Sequence, residues 1–389
     1  ANAADLGGNC CADLEERVAE LEATTARKGN RKVSLTISGW VGEQVMWWDD
    51  DFESNTYVGG LGTTLATNVK FTGQATIVPG WTAGYVIHIE ADGSDMLLGV
   101  NQSTDNGAGL YTSTTNYVQT LQSFWFIKSD HWGKVGIGLQ SQASDNTAIL
   151  VDGSGSLVPA NFVQFDYGGF NLRDAAGNIV AGSTISDVMA CTDCNGLPVN
   201  AVRYDTPTFA GFSASASWGE DDFWDIALRY AGEVHSFKIA AAAAYAESSD
   251  GNGGLFPLLG DGGEHFQVGA YAQHIPTGIF LYAAYSNIEN ENNDVEGDNY
   301  YIKAGVRGKW NHLGATIPYF EYQDGQLEDG AADVGEVELW GLGVVQEIDA
   351  AAMSLWLSYR NIEADSQDSA TEDGTLDFQY VKFGALINF

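Results

Sequence analysis

The feature that most constrains this chain is an alternation of apolar and polar residues that recurs in sixteen segments after Arg31. In the first segment, Val33, Leu35 and Ile37 alternate with serine and threonine, which is the pattern of a β-strand with one apolar and one wetted face. The segments cover residues 32–47, 65–78, 81–91, 117–128, 133–141, 200–206, 211–219, 223–231, 234–247, 264–275, 279–288, 299–310, 314–323, 335–348, 351–362 and 376–389. The alternation therefore predicts an all-β fold.

The connections between these segments alternate between short turns and longer, acidic loops. Pro79-Gly80 is one of the short turns, whereas the longest connection covers residues 142–199. Tight turns at one end and long loops at the other are typical of outer-membrane barrels, whose even strand number returns both termini to the periplasmic side. A soluble sandwich, the alternative, has no reason to alternate loop length so regularly. The sequence predicts a 16-stranded antiparallel transmembrane β-barrel over residues 33–389.

Composition removes several other classes of protein. The chain has 52 acidic and 17 basic residues, a net charge of −35, together with 11 Trp, 17 Tyr and 18 Phe. Disordered acidic chains lack so many aromatic residues, so this chain folds, and its charge excludes a nucleic-acid partner. No apolar run approaches the length of about 18 residues that a transmembrane helix needs. Residues 1–3, Ala-Asn-Ala, are similar to the end of a cleaved signal peptide and predict export.

The N-terminal segment, residues 1–32, follows a different period. Leu14, Val18 and Leu21 are spaced four and three residues apart, as in the core of a coiled coil, and the neighbouring heptad positions carry Glu and Arg. The segment predicts a short periplasmic α-helical coiled coil headed by Cys10 and Cys11. The alternative is a single amphipathic helix that packs on its own domain.

Basic residues in the later segments are flanked by apolar neighbours, as Lys70 is by Val69 and Phe71. A cation on the lipid face near the membrane midplane costs about 2 to 4 kcal/mol, so these side chains are expected to face the barrel interior. A barrel of this size is too wide for its own side chains to fill, which predicts a water-filled pore. The predicted pore-lining basic residues are Lys70, His88, Lys134, Arg203, Arg229, Lys238, Lys303, Arg307, Arg360 and Lys382.

Three stretches of the sequence resemble known outer-membrane proteins. Residues 380–389, with alternating apolar positions and a terminal Phe389, resemble the assembly signal of outer-membrane barrels. Residues 202–212 resemble the strand–turn–strand segment at the middle of general porins. Residues 10–22, followed by residues 34–40, resemble the alphaproteobacterial porins of the rhizobial type, and this likeness extends over the whole chain.

The resemblance implies a homotrimer, passive diffusion of small hydrophilic solutes and ions, and a third extracellular loop that folds into the pore. That loop is residues 142–199, and its predicted constriction acids are Asp145, Asp152, Asp166 and Asp174. Facing basic residues on the wall would then create a transverse field. Because residues 33–389 hold 46 acids and 12 bases, the sequence predicts weak cation selectivity.

Cys191 and Cys194 lie within the long loop. A loop disulfide is expected in an oxidising compartment, whereas a zinc site would need a second pair of ligands nearby. The sequence shows no Gly-x-Ser-x-Gly or His-Glu-x-x-His motif, so no enzyme activity and no cofactor are predicted. Ca²⁺ binding in acidic loops such as residues 289–298 is an alternative to simple solvation.

Two other functions stay open at this point. The N-terminal coiled coil could tether the outer membrane to peptidoglycan, which muropeptide mass spectrometry of digested cell walls would detect as a covalent N-terminal adduct. A substrate-specific sugar channel is the third interpretation. The expected partners are outer-membrane lipid, lipopolysaccharide and, through Phe389, the barrel-assembly machinery.

Overall fold

The computed structural model describes residues 33–62, 64–91, 100–103, 118–194, 196–219, 222–249, 262–290, 292, 294–329, 333–367 and 374–389. The predicted coiled-coil core of Leu14, Val18 and Leu21 lies outside these residues, as do Cys10 and Cys11. Among the described residues, no helix has the length and apolarity needed to cross a membrane.

The described residues form nineteen strand segments. They are β1 (Thr36–Asp49), β2 (Ser54–Gly59), β3 (Asn68–Val78), β4 (Trp81–Glu90), β5 (Gln119–Ser129), β6 (Gly133–Gln140), β7 (Asn171–Arg173), β8 (Ile179–Thr184), β9 (Val199–Asp205), β10 (Phe212–Gly219), β11 (Phe223–Val234), β12 (Phe237–Ser248), β13 (Gly263–His274), β14 (Ile279–Asn290), β15 (Val295–Val306), β16 (Thr316–Asp329), β17 (Asp333–Ile348), β18 (Met353–Gln367) and β19 (Gly374–Asn388). Two short 3-10 turns, Ile185–Asp187 and Asp349–Ala351, complete the regular structure of these residues.

Sixteen of these segments form the wall of a closed antiparallel barrel, as the alternation predicted, and β2, β7 and β8 belong to connections. Each wall strand pairs with the next along the chain, and β19 closes the barrel by pairing with β1 from Trp40↔Asn388 to Asp49↔Gln379. The backbones of Gly39 and Phe389 exchange two further hydrogen bonds of 3.0 and 3.1 Å. A Cβ at Gly39 would collide with the Asn68 carbonyl on the neighbouring strand β3, so this position of β1 requires a glycine.

The two faces of the wall differ as the alternation predicted. On β1, Val41, Val45 and Trp47 are exposed on the outer face, whereas Met46 and Trp48 are buried on the inner face. The outer face of the barrel carries a band of exposed apolar and aromatic side chains, which is the surface that outer-membrane barrels present to lipid.

Several strands continue beyond the acidic residues at which the sequence predicted loops. Strands β16 to β19 pair well past their apolar parts, so the connections after β14, β16 and β18 are only a few residues long. Asp324, Glu338, Glu363 and Asp377 lie side by side on four neighbouring strands in this extension. The acidic residues lie on the outer face there, whereas the inner face stays buried at Val337, Ala364 and Leu376, so both the alternation and the backbone pairing continue.

Residues 141–198, which connect β6 to β9, are named the inner loop. They include the β7–β8 hairpin, and they pack against the inner face of the wall rather than extending from the barrel. We call the end of the barrel with the short connections the turn end, and the opposite end the loop end.

Candidate channel constriction

The start of the inner loop is fixed to β9, β10 and β11. The Arg203 guanidinium donates to the backbone carbonyls of Ser141 and Gln142, both at 2.9 Å. The backbone N–H and hydroxyl of Ser144 donate to Asp225 at 2.6 and 2.5 Å. Arg229 donates to the carbonyl of Ala143 and, at 2.9 Å, to the hydroxyl of Thr147. Two of the predicted pore-lining arginines therefore also position the loop.

The next part of the loop is held by Lys303 on β15. Its ammonium donates to the Asp152 carboxylate and to the Ala160 carbonyl, both at 2.6 Å, and neither charged side chain is exposed. Arg307, which directly follows β15, donates to the Ser154 carbonyl at 3.0 Å and pairs with Glu347 at 2.6 Å. The predicted constriction acid Asp152 thus faces the wall.

Two further buried cations hold the middle of the loop. Arg360 on β18 pairs with Glu321 on β16 at 2.8 Å and donates to the Asn161 carbonyl at 3.1 Å. Lys382 on β19 pairs with Asp166 at 2.6 Å. The Asp166 carboxylate is therefore also turned into the wall, and its charge is matched there.

The β7–β8 hairpin lies near the loop end of β1. Arg173 pairs with Asp50 at 2.7 Å and also with Glu53, and its guanidinium lies over the Phe52 ring at 5.1 Å. Gln102, from the connection after β4, donates to Asp50 at 3.2 Å. Asp174, the last of the predicted constriction acids, is exposed in the turn of this hairpin and accepts a hydrogen bond from Asn178.

Apolar packing holds the inner loop as firmly as these polar contacts. Phe170, Leu172 and Ile185 of the loop pack with Trp48 and Phe378 of the wall in one buried cluster. A second cluster joins the loop to β13–β18; it contains Ala148, Ile149, Ala160, Phe162, Tyr271, Phe280, Tyr282, Tyr301, Ile317, Tyr319, Val345 and Trp356. This side of the lumen is therefore filled by a packed core rather than by water.

Glycines in the wall make room for the loop backbone. A Cβ at Gly269 on β13 would collide with the backbone of Ala148, and one at Gly335 on β17 would collide with the backbone of Val188. The loop therefore lies directly on the wall at these two places.

The open part of the lumen lies on the other side, against β3–β6 and β9. Lys70 pairs across the ladder with His88, which is buried, and neither ring nitrogen of His88 has a hydrogen-bond partner among the described residues. Lys134 pairs with Asp205 at 2.9 Å, and Arg203 pairs with the same carboxylate at 2.8 Å. Of the predicted pore-lining residues, these four side chains lie on this wall.

The remaining predicted basic residues lie elsewhere. Lys238 is exposed on the inner face of β12 near the turn end. Lys303, Arg360 and Lys382 are buried behind the inner loop, and Arg307 is partly exposed beside it. All of them face the barrel interior, but only some of them meet open water.

Asp145 and Asp193 form a buried carboxyl pair within the inner loop. The Asn146 backbone N–H and the Gln267 side-chain amide both donate to Asp193 at 3.2 Å. Burial raises the pKa of Asp193 to about 6. Burial also raises the pKa of Asp145 well above its ordinary value, and the neighbouring Asp193 raises it further. The acidic charge of this pair is therefore smaller near neutral pH than the sequence suggests.

Cys191 and Cys194 are joined by a disulfide at the end of the inner loop. They pack with Phe223, Ala246 and Ile288 of the wall. Within the part of the chain that the structure describes, no group of three or more His, Cys, Asp or Glu side chains could hold a metal ion.

Sequence reasoning missed several residues of the site. Glu321, which pairs with Arg360, and Asp225, which accepts hydrogen bonds from Ser144, are inner-face acids that were not predicted. Lys128 faces the lumen on β5, where Phe124-Trp125-Phe126-Ile127 is apolar on both faces and conceals the alternation. The spacing of two residues between Phe124, Phe126 and Lys128 was the available signal.

Comparison with known proteins agrees with this architecture. A family model described as Gram-negative porin matches residues 12–385. No curated protein matched the sequence.

Several solved structures are similar in fold. Outer-membrane-expressed OmpT of Vibrio cholerae has a TM-score of 0.57 at 12% identity, covering 93% of this chain and 99% of that one. The outer membrane channel DcaP of Acinetobacter baumannii has a TM-score of 0.56 at 10% identity, with the same coverage of 93% and 99%. A mutant porin of Rhodopseudomonas blastica has a TM-score of 0.50 at 12% identity, covering 91% of this chain and all of that one. The closed barrel, its internal loop and the family match together place this chain in the Gram-negative porin family, as an outer-membrane channel rather than an enzyme.

Proposed function

We propose that the protein is a general diffusion porin through which small hydrophilic solutes and ions pass passively. The observation that carries this proposal is the one-sided packing of the inner loop. The loop is buried against β10–β19 and β1, whereas the facing wall keeps polar and charged side chains such as Gln74, Lys128 and Lys134 in contact with open space. Such an arrangement narrows the lumen without filling it.

We further propose weak selectivity for small cations. Acids are exposed at the loop end, among them Asp51, Glu363 and Asp377, whereas the buried acids of the inner loop are largely matched by cations. An acidic entrance concentrates small cations within about a Debye length of the surface. Selectivity would then come from the entrance more than from the constriction loop, which differs from the arrangement that the sequence suggested.

Planar-bilayer recording of the purified protein tests both parts of the proposal. In a KCl gradient we expect stepwise channel insertion and a reversal potential whose sign shows that potassium is more permeable than chloride. The preference for potassium should fall as the salt concentration is raised, because salt screens the surface charge. A reversal potential that favours chloride would contradict the cation preference alone. Absence of any conductance from folded protein would contradict the porin function.

We propose that three copies assemble, as the resemblance implies. One of the similar structures is described as a trimer form of OmpT of Vibrio cholerae. Native mass spectrometry of detergent-extracted protein should give three chains per particle, and a monomer under conditions that keep the barrel folded would refute the assembly. Several features stay predictions. They are membership of the alphaproteobacterial porins, periplasmic termini, and contacts with lipopolysaccharide, the assembly machinery and peptidoglycan.

A further inference from the structure

The strands that face the open lumen, β3–β6 and β9, carry a pattern of side chains that general diffusion does not require. Strand register places its inner-face residues in rows around the barrel. The row nearest the turn end contains Lys128, Lys134 and Asp205. The next row toward the loop end, two residues earlier on β5, contains Phe126 and Arg203, separated by Gly136.

The following rows continue this order. Phe124 lies beside Val86 on β4, and the row beyond it contains Gln122, His88 and Lys70. On β5 the row of Lys128 and the row of Gln122 are six residues apart, a distance of about 20 Å. A band of apolar residues, with Arg203 at one side, therefore lies between Lys128 and Lys134 at the turn end and Lys70 further along the lumen.

Neighbouring glycines let the aromatic rings lie against the wall. A Cβ at Gly84 would collide with the Phe126 ring, and one at Gly136 would touch the edge of the Phe124 ring. Both phenylalanines stay partly exposed, so each ring covers the wall with one face and presents the other to the lumen. They narrow the channel less than upright rings would, while they still offer apolar surface.

The cationic row at the turn end is incompletely matched. Lys128 and Lys134 are directly opposite each other on adjacent strands, an arrangement of like charges that is unfavourable. One carboxylate, that of Asp205, is shared between Lys134 and Arg203. Lys128 and Lys134 line a cavity of about 480 Å³ together with Asp205, Thr206, Thr208 and the turn residue Asp130. An anionic group entering this cavity would reduce the repulsion between the two lysines.

The inner loop contributes apolar surface from the other side. Leu150 is 70% exposed, and it lines a cavity of about 310 Å³ with Arg203, Arg229 and Asp145. The exposed leucine of the inner loop and the partly exposed phenylalanine rings of the wall give the open lumen two apolar surfaces, each next to an arginine or lysine. A charged wall alone would attract inorganic and organic anions equally, so the apolar band determines the solute class.

We propose that this wall is a binding track for organic monoanions with an apolar body, in particular aromatic carboxylates. The carboxylate is held by Lys128 and Lys134, and the ring of the solute lies against Phe124 and Phe126, where aromatic pairs gain stability beyond burial alone. Chloride gains nothing from the apolar band, so weak preference for small cations and binding of these anions coexist. This inference rests on the proposed porin function, because it names solutes for the same channel.

The test compares benzoate with acetate, which carry the same charged group. With potassium benzoate on one side of a planar bilayer and the same concentration of potassium acetate on the other, the sign of the reversal potential shows which anion is more permeable. Its size gives the ratio of the two anion permeabilities once the permeability of potassium relative to acetate has been measured in a potassium acetate gradient. Free diffusion favours the smaller acetate, so a water-filled pore gives a ratio below one. We expect a ratio above one, by up to about fivefold for partial burial of one ring face.

Three variants locate the effect. In F124S/F126S and in K128Q the ratio should fall below one, whereas K309Q, which removes an exposed lysine from the turn-end rim, should leave it unchanged. A wild-type ratio below one in channels that conduct KCl would overturn the track and leave the porin function intact. A ratio above one that neither variant lowers would also overturn it, because the binding would then lie elsewhere. Channels that fail to conduct KCl would contradict the porin function instead.

Discussion

Replacement of Lys303 by Met is expected to destabilise the protein by about 3 to 5 kcal/mol and to release the inner loop from the wall. The Lys303 ammonium is the cationic partner of Asp152, and both side chains are fully buried. Removing one member of a buried pair leaves an uncompensated charge, which costs more than the pair itself contributes. The Ala160 carbonyl would lose its hydrogen bond from the same ammonium. The loop would then move toward the open lumen or become mobile.

Two measurements check this expectation. Chemical denaturation in detergent, followed by tryptophan fluorescence, should shift to lower denaturant in K303M, and single-channel conductance should become variable or larger. The double variant K303M/D152N should recover part of the stability, because it leaves no unpaired charge.

The matched control is K309M, which removes an exposed lysine from its pair with Asp349. Exposed pairs contribute at most about 1 kcal/mol, so this variant should unfold close to wild type. Equal losses in K303M and K309M would show that burial of the pair does not matter. A double variant as unstable as K303M would show that the loss does not come from the charge left on Asp152.

The barrel was predictable from sequence because its determinants are local. Alternation over short segments, such as Val41, Val45 and Trp47 on the outer face of β1, reports the environment of each face directly. Alternating connection lengths then fixed the strand number. Strand ends were less predictable, since Val337 and Ala364 in these extensions are buried by the inner loop, which is distant in the sequence.

The packing of the inner loop was not predictable in the same way. Lys303 and Asp152 are separated by 151 residues, and Lys382 and Asp166 by 216. Sequence identified the cations as inner-face residues and the acids as loop residues, but only the folded chain shows that they pair. The interpretation of Asp152 and Asp166 as pore charges assumed that charged groups inside a wet barrel stay wet. The inner loop instead brings enough apolar surface, including Phe162 and Phe170, to exclude water around them.

The buried carboxyl pair is expected to make stability fall as pH rises, which is the opposite of what most acids do. Burial raises the pKa of Asp193 to about 6, above its value in the unfolded chain, so the folded state binds this proton more tightly. Between the two pKa values, therefore, stability falls as pH rises. The contribution is fully present at acidic pH and is lost as pH rises through about 6. Its size is on the order of 3 kcal/mol.

Asp193→Asn should remove this dependence. The amide oxygen can still accept the hydrogen bonds from Asn146 and Gln267, but it carries no charge at any pH. We expect D193N to be more stable than wild type at pH 7 and to match it at pH 4. The difference in unfolding free energy between the two proteins, measured by denaturation at several pH values, isolates this group from the other carboxyls of the barrel.

Asp174 supplies a control of opposite sign. Hydrogen bonds from Asn178 lower the pKa of this exposed carboxyl, so its contribution is present above its unfolded pKa and is lost as pH falls through the folded one. D174N should therefore lose stability at pH 7 and approach wild type in acid. If D193N and D174N both lower stability at pH 7, the pKa of Asp193 is not raised in the folded protein. Opposite shifts would make protonation of Asp193 one of the forces that hold the inner loop in place, beside the Lys303 and Lys382 pairs.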